Sequence, residues 1–211
     1  MGRSIMKDMP ITKAICESAR DFHRRGWMLG TAGNLSALDE DGYMWITASG
    51  KSKGRLTEMD LLKLDVKTSE VITRNQEKNK PSAETEIHQV IYQIFPEANA
   101  CFHVHSVDAC IATSKHATET HLVLPNLEMI KGFDIWEQSP NVTLPIFKNH
   151  LDVSKIAKDI KKQFTQLQPD ITALMIKDHG VTVWGNSVEQ AYNRIEILEF
   201  IMNFMARKDS I

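Results

Sequence analysis

Phe102-His103-Val104-His105-Ser106 sets two imidazoles one residue apart in an otherwise apolar run. Side chains alternate along a strand, so Phe102 and Val104 share one face while His103 and His105 share the other, close enough to grip one cation. Neutral imidazole nitrogens suit zinc and similar divalent metals. Chance is the plainer account of any two histidines in a chain that has 8. A third, His179 in Lys177-Asp178-His179-Gly180-Val181, ends a second apolar run and changes the balance. Three histidines with one position left open make a catalytic zinc site; a structural site would more often use cysteines. Cys16, Cys101 and Cys110 lack paired ligand spacing.

Three other segments have the chemistry of an anion cradle. Gly30-Thr31-Ala32-Gly33-Asn34-Leu35-Ser36 combines glycines with hydroxyl and amide side chains just before a strand. It matches neither a P-loop nor a dinucleotide fingerprint, and alone it reads first as a tight turn. Ile46-Thr47-Ala48-Ser49-Gly50-Lys51-Ser52-Lys53-Gly54 ends a strand in hydroxyls, glycines and two lysines; a solvated loop is an equally good reading. Lys80-Pro81-Ser82-Ala83-Glu84 opens a helix, where backbone N–H groups are free. Together they suggest one phosphate pocket.

The elements that must position these groups can be read from periodicity. Residues 10–25 form an amphipathic helix stopped by Gly26, and 82–95 form another ended by Pro96. Strands fall at 35–38 and 43–47 as a hairpin, and at 62–66 and 70–73 as a second. Thr57 and Asp60 between them have the spacing of a capped turn. After the histidine strand come a short helix at 107–114, strands at 122–124, 142–146, 171–176 and 181–184, and a helix at 152–167. The last helix, 187–208, carries an apolar surface broader than one core face needs, which reads as core packing first and subunit contact second. Hairpins mixed with helices favour a layered α/β domain on a largely antiparallel sheet.

Bulk properties narrow the function. The 211 residues suit a single domain, 1–211, and 42% hydrophobic with 25% charged residues is ordinary globular composition. A formal charge of −2 gives no field for polyanions, so nucleic acid is not an expected partner. Residues 1–10 have no signal-peptide core and no long apolar run follows, so neither secretion nor a membrane partner is expected. An odd number of cysteines fits a reducing, cytoplasmic setting.

GTAGNLS, ITASG, PSAETEIH, HVHS and DHGV, in that order, resemble the class II aldolase family over about residues 11–205. The resemblance implies a three-layer α/β/α fold with a central mixed, mostly antiparallel sheet, and an enzyme acting on a sugar phosphate. It also implies one Zn(2+) per subunit on His103, His105 and His179, and homotetramers with sites between subunits. Phosphate contacts carry over to Asn34, Ser49, Gly50 and Ser82, with Thr31 and Gly33 shaping the first loop; Lys51, from its proximity in the sequence alone, is a candidate for added charge. The chain departs from the aldolase pattern at Ala83, where a second serine is usual.

Leu127-Glu128-Met129-Ile130-Lys131-Gly132 and the segment from Asp178 to Gly185 resemble the family's dehydratase branch, which removes water from a ketose phosphate. That resemblance makes Glu128 the general acid/base. Glu84, at the position of the acid/base glutamate in fuculose-phosphate-type aldolases, becomes a second catalytic candidate that touches substrate or poises the metal. An aldolase or epimerase is the alternative; it would want a tyrosine acid near the C-terminus, and Tyr192 lies mid-helix. A non-catalytic, adducin-like interaction module is the remaining one, and it has no use for a full set of ligands and acids.

Overall fold

The computed structural model describes residues 9–208, so the expectation about a leader in residues 1–10 falls largely outside it. Helix α1 (Ile11–Arg24) buries Ile15, Ala19 and Phe22 on one side. It ends where Gly26, at φ +83°, lets the Gly26 and Trp27 amides turn back to the carbonyls of His23 and Phe22. Strands β1 (Asn34–Leu38), β2 (Met44–Thr47), β3 (Leu61–Leu64) and β4 (Val71–Arg74) then form a meander of antiparallel pairs. The expected capped turn is present, with Thr57 and Asp60 bonding to each other's backbone groups.

Helix α2 (Thr85–Ile94) leads to the histidine strand β5 (Ala100–Val104), followed by α3 (Val107–His116) and β6 (His121–Val123). A 3₁₀ helix not foreseen from the sequence occupies Glu128–Phe133. The chain closes with β7 (Thr143–Phe147), α4 (Val153–Gln166), β8 (Ala173–Ile176), β9 (Gly180–Gly185) and α5 (Val188–Arg207). Among the described residues the sheet has nine strands, in the order β4-β3-β2-β1-β5-β9-β8-β7-β6. Among the described residues only β7 and β8 run parallel, because α4 carries the chain back across the sheet between them.

Alternation along β5 divides the core. Ala100, Phe102 and Val104 join a cluster with α1, α3 and α5, while Cys101 joins one with α2 and α4 on the opposite face. These two clusters are the interfaces of an α/β/α sandwich, as the family resemblance implies. Burying a side chain such as Phe102 contributes about 2 kcal/mol or more, so β5 is anchored from both faces and its histidines inherit that rigidity. On α5, Ala191, Ile195, Leu198 and Met202 are core, whereas Phe200 and Phe204 stay exposed. No helix among the described residues is long and apolar enough to cross a membrane.

Candidate metal centre

β5 lies between β1 and β9, and in this register His103 is opposite both Asn34 and Thr182. The strand ends just after it. The His105 amide bonds to the Trp27 carbonyl at 2.8 Å, and the Ser106 hydroxyl caps α3 by accepting from Ala109 N. His179 arrives in the tight turn between β8 and β9, where Asp178 takes a left-handed φ of 54°. Gly180 lets the two segments meet. A Cβ there would lie 2.1 Å from the Val104 carbonyl oxygen and 3.0 Å from the His105 ring. Gly33, at φ +74°, also packs on the His103 carbonyl, 2.7 Å from an added Cβ.

The three imidazoles meet edge to face, with centroids 4.4 to 5.0 Å apart. His103 Nε2 and His105 Nε2 are 2.9 Å apart. Glu84, from the start of α2, completes the group: its Oε1 lies 3.1 Å from His179 Nε2 and 3.5 Å from His103 Nε2. One ligand atom from each of the four residues falls within 4.8 Å of all the others. His103 Nδ1 is 2.9 Å from the Thr182 hydroxyl, which fixes the ring so that the Nε2 lone pair faces the cluster.

Electrostatics agree with a cation at this point. Burial pushes His105 down to about 3 and lowers His103 as well, so these two rings favour the neutral form that a ligand needs. Burial alone would raise Glu84, but His103, His179 and Asn34 hold its carboxyl well below the usual range. Glu84 Oε1 is buried without a hydrogen bond of acceptable geometry. Converging lone pairs and an unpaired carboxylate oxygen repel one another unless a positive charge sits among them. The donor set fits a divalent metal of the zinc kind.

Behind Glu84 runs a directed chain of buried hydrogen bonds. Tyr92 and Ser36 hydroxyls are 2.7 Å apart, Ser36 Oγ is 2.7 Å from His88 Nδ1, and His88 Nε2 is 2.5 Å from Asn34 Oδ1. With His88 Nε2–H donating to Asn34, the Asn34 amide turns its Nδ2–H toward Glu84 Oε2. Burial keeps His88 neutral by lowering it to about 3. Asn34, expected at phosphate, therefore spends its side chain on Glu84. The sequence carries a signal for His88: it stands four residues after Glu84, one helical turn on.

The three cradle segments do converge. The Ser49 amide bonds to the Lys80 carbonyl at 2.9 Å, and the Lys53 amide to the Gly30 carbonyl at 3.1 Å. Thr31, Ser49 and Gly50 are exposed, and Ser82 is half-buried. Lys51 instead turns to Asp60 at 3.0 Å and Gln76 at 3.1 Å. Glu128 is not brought into the cluster: its side chain is 83% exposed and paired with Lys131 at 2.6 Å. A cavity of about 750 Å³ beside α1 and the start of α5 contains none of these residues. Convergence of donors, not cavity size, marks the site.

Comparison with known proteins places this geometry. Residues 13–205 match the family described as Class II Aldolase and Adducin N-terminal domain. A methylthioribulose-1-phosphate dehydratase from Microcystis aeruginosa is 52% identical over 192 residues, covering 91% of this chain and 93% of its own. One from Leptospira biflexa is 40% identical over 193 residues, covering 89% and 92%. The crystal structure of YgbL from Escherichia coli superposes with a TM-score of 0.77 at 25% identity, covering 92% of this chain and 86% of that one. The chain belongs to the class II aldolase and adducin family, and within it resembles the methylthioribulose-1-phosphate dehydratases.

Proposed function

We propose that the protein is a zinc-dependent dehydratase that converts 5-methylthioribulose 1-phosphate to 2,3-diketo-5-methylthiopentyl 1-phosphate and water, a step of methionine salvage. The observation that carries this reading is the His103, His105, His179 and Glu84 cluster in a chain 52% identical to such a dehydratase. When bound by these residues, one zinc per subunit supplies the Lewis acidity that loosens a proton beside a carbonyl. The cradle at residues 30–34, 49–53 and 80–84 holds the phosphate and so fixes the sugar chain relative to the histidines. On the dehydratase resemblance, and although it lies outside the cluster within one subunit, Glu128 is the group that removes the proton from carbon 3 and returns it to the hydroxyl leaving carbon 4. The resulting enol ketonises with protonation at carbon 4, so the net change is loss of one water. Glu84, kept ionised by its neighbours, poises the ligand set.

A second reading is favoured by the contact of Glu84 with His103 and His179: an aldolase or epimerase with Glu84 as its acid/base. On the family resemblance we place the enzyme in the cytoplasm as a homotetramer. Mass spectrometry of 5-methylthioribulose 1-phosphate incubated with the protein, with chelator and with added zinc, tests the proposal. Metal-dependent loss of one water is expected; intact substrate with folded, zinc-loaded protein overturns it.

A further inference from the structure

Lys53 is the charged side chain that the assigned site leaves unexplained. It stands in a 3₁₀ turn at Lys53–Arg55, and only 1% of it is exposed. Its ammonium donates to the Thr31 carbonyl at 2.8 Å and the Lys51 carbonyl at 3.2 Å. Its own amide donates to the Gly30 carbonyl. One residue thus ties the first cradle loop to the second by side chain and backbone together.

No carboxylate lies within ion-pair distance of Lys53 among the described residues; the acid acting on it through space is Glu84. Taking an ammonium out of water without a paired anion is costly, and a hydrophobic side chain would staple two loops more cheaply. Two of its three N–H donors are used on carbonyls, which leaves one donor and the whole charge uncommitted. Lys51, the other lysine of the loop, is already neutralised by Asp60.

Resting on the phosphate reading above, we propose that Lys53 is the specificity-determining cation of the cradle, closing the loops at 30–34 and 49–53 and supplying the charge that selects a phosphate dianion. The exposed Ser49 and Gly50 and the half-buried Ser82 then shape the rim, and the ammonium under it provides the discrimination against uncharged sugars.

The test uses inorganic phosphate as the probe. Thermal midpoints of the zinc-loaded protein are recorded against phosphate and against chloride at matched ionic strength, for wild type, Lys53→Met and Lys53→Arg. Wild type and Lys53→Arg respond to phosphate; in Lys53→Met the apparent Kd weakens by about ten- to a hundredfold, the loss of one charge-assisted bond, with zinc content unchanged. With substrate, the same loss falls on KM more than on kcat. Phosphate binding by Lys53→Met equal to wild type overturns the inference while leaving the dehydratase reading intact. Equal losses in Lys53→Arg and Lys53→Met overturn the assignment of charge and reduce Lys53 to a loop staple. A wild type indifferent to phosphate overturns the phosphate reading itself, and the inference with it.

Discussion

Replacing His88 with glutamine should make stability less sensitive to acid, although it breaks a buried network. In the native chain His88 is fully buried and lowered from the ordinary 6.5 to about 3, first by burial and then by His103, against the pull of Glu84. The unfolded chain protonates this ring below the ordinary value while the native one does not. The unfolded state therefore binds more protons between these limits, and the stability contributed is complete above 6.5 and lost as pH falls toward about 3. Each pH unit within that window costs about 1.4 kcal/mol, so the step from about pH 7 to about pH 5 costs roughly 2 kcal/mol through this residue alone.

Against this stands the cost of the substitution. Glutamine cannot satisfy both Ser36 and Asn34, and one unpaired buried group costs about 1–3 kcal/mol. The assay is urea unfolding of wild type and His88→Gln at both pH values, in chelator so that metal release does not contribute. The variant should be less stable near pH 7, and the gap should close by about 2 kcal/mol near pH 5. A gap unchanged or wider in acid refutes the argument, because His88 would then titrate in the native state as it does in the unfolded chain.

Thr182→Val removes the hydroxyl that orients His103 and should weaken metal binding by roughly 10- to 100-fold, read by competition with a chromophoric chelator. His103→Ala should lose metal and turnover together, as metal analysis beside an activity assay will record. Glu128→Gln should keep its metal yet lose turnover; if Glu84→Gln alone abolishes catalysis with metal retained, the aldolase-like role of Glu84 is preferred. Gly180→Ala puts a Cβ 2.1 Å from the Val104 carbonyl. It should destabilise the protein by about 1–3 kcal/mol, measured by thermal unfolding, and lower metal affinity by parting β5 from the His179 turn.

The histidine pair was legible because a period of two needs no partner: whatever strand β5 joined, His103 and His105 had to share a face. Helices α1, α2, α4 and α5 follow the apolar stripes that foretold them, and the Thr57–Asp60 turn follows its cap. Less could be read where long-range packing decides. Residues 128–133 carry too few apolar positions to show a period, and the 3₁₀ helix there is held by Ile130 and Phe133 in the core formed with α5. Lys51 and Lys53 look alike in a loop, because nothing local tells which one turns inward; the backbone bond to Gly30 decides it. The second task of Asn34 depends on α2 packing over β1, a contact between segments far apart in the chain.

The placement of the ligands has a consequence for biogenesis. His103 and His105 emerge from synthesis well before His179, and the three become neighbours only when β9 docks beside β5. Until then a growing chain offers the two imidazoles and Glu84 without the third histidine, an incomplete set for tight capture. Such late pairing of distant segments is slow in folding. A cation bound by all three histidines stitches β5 to the β8–β9 turn across a seam in the middle of the sheet. Metal supply during synthesis would then govern how long that seam stays open, and with it how long the bare edge of β5 is exposed to other chains.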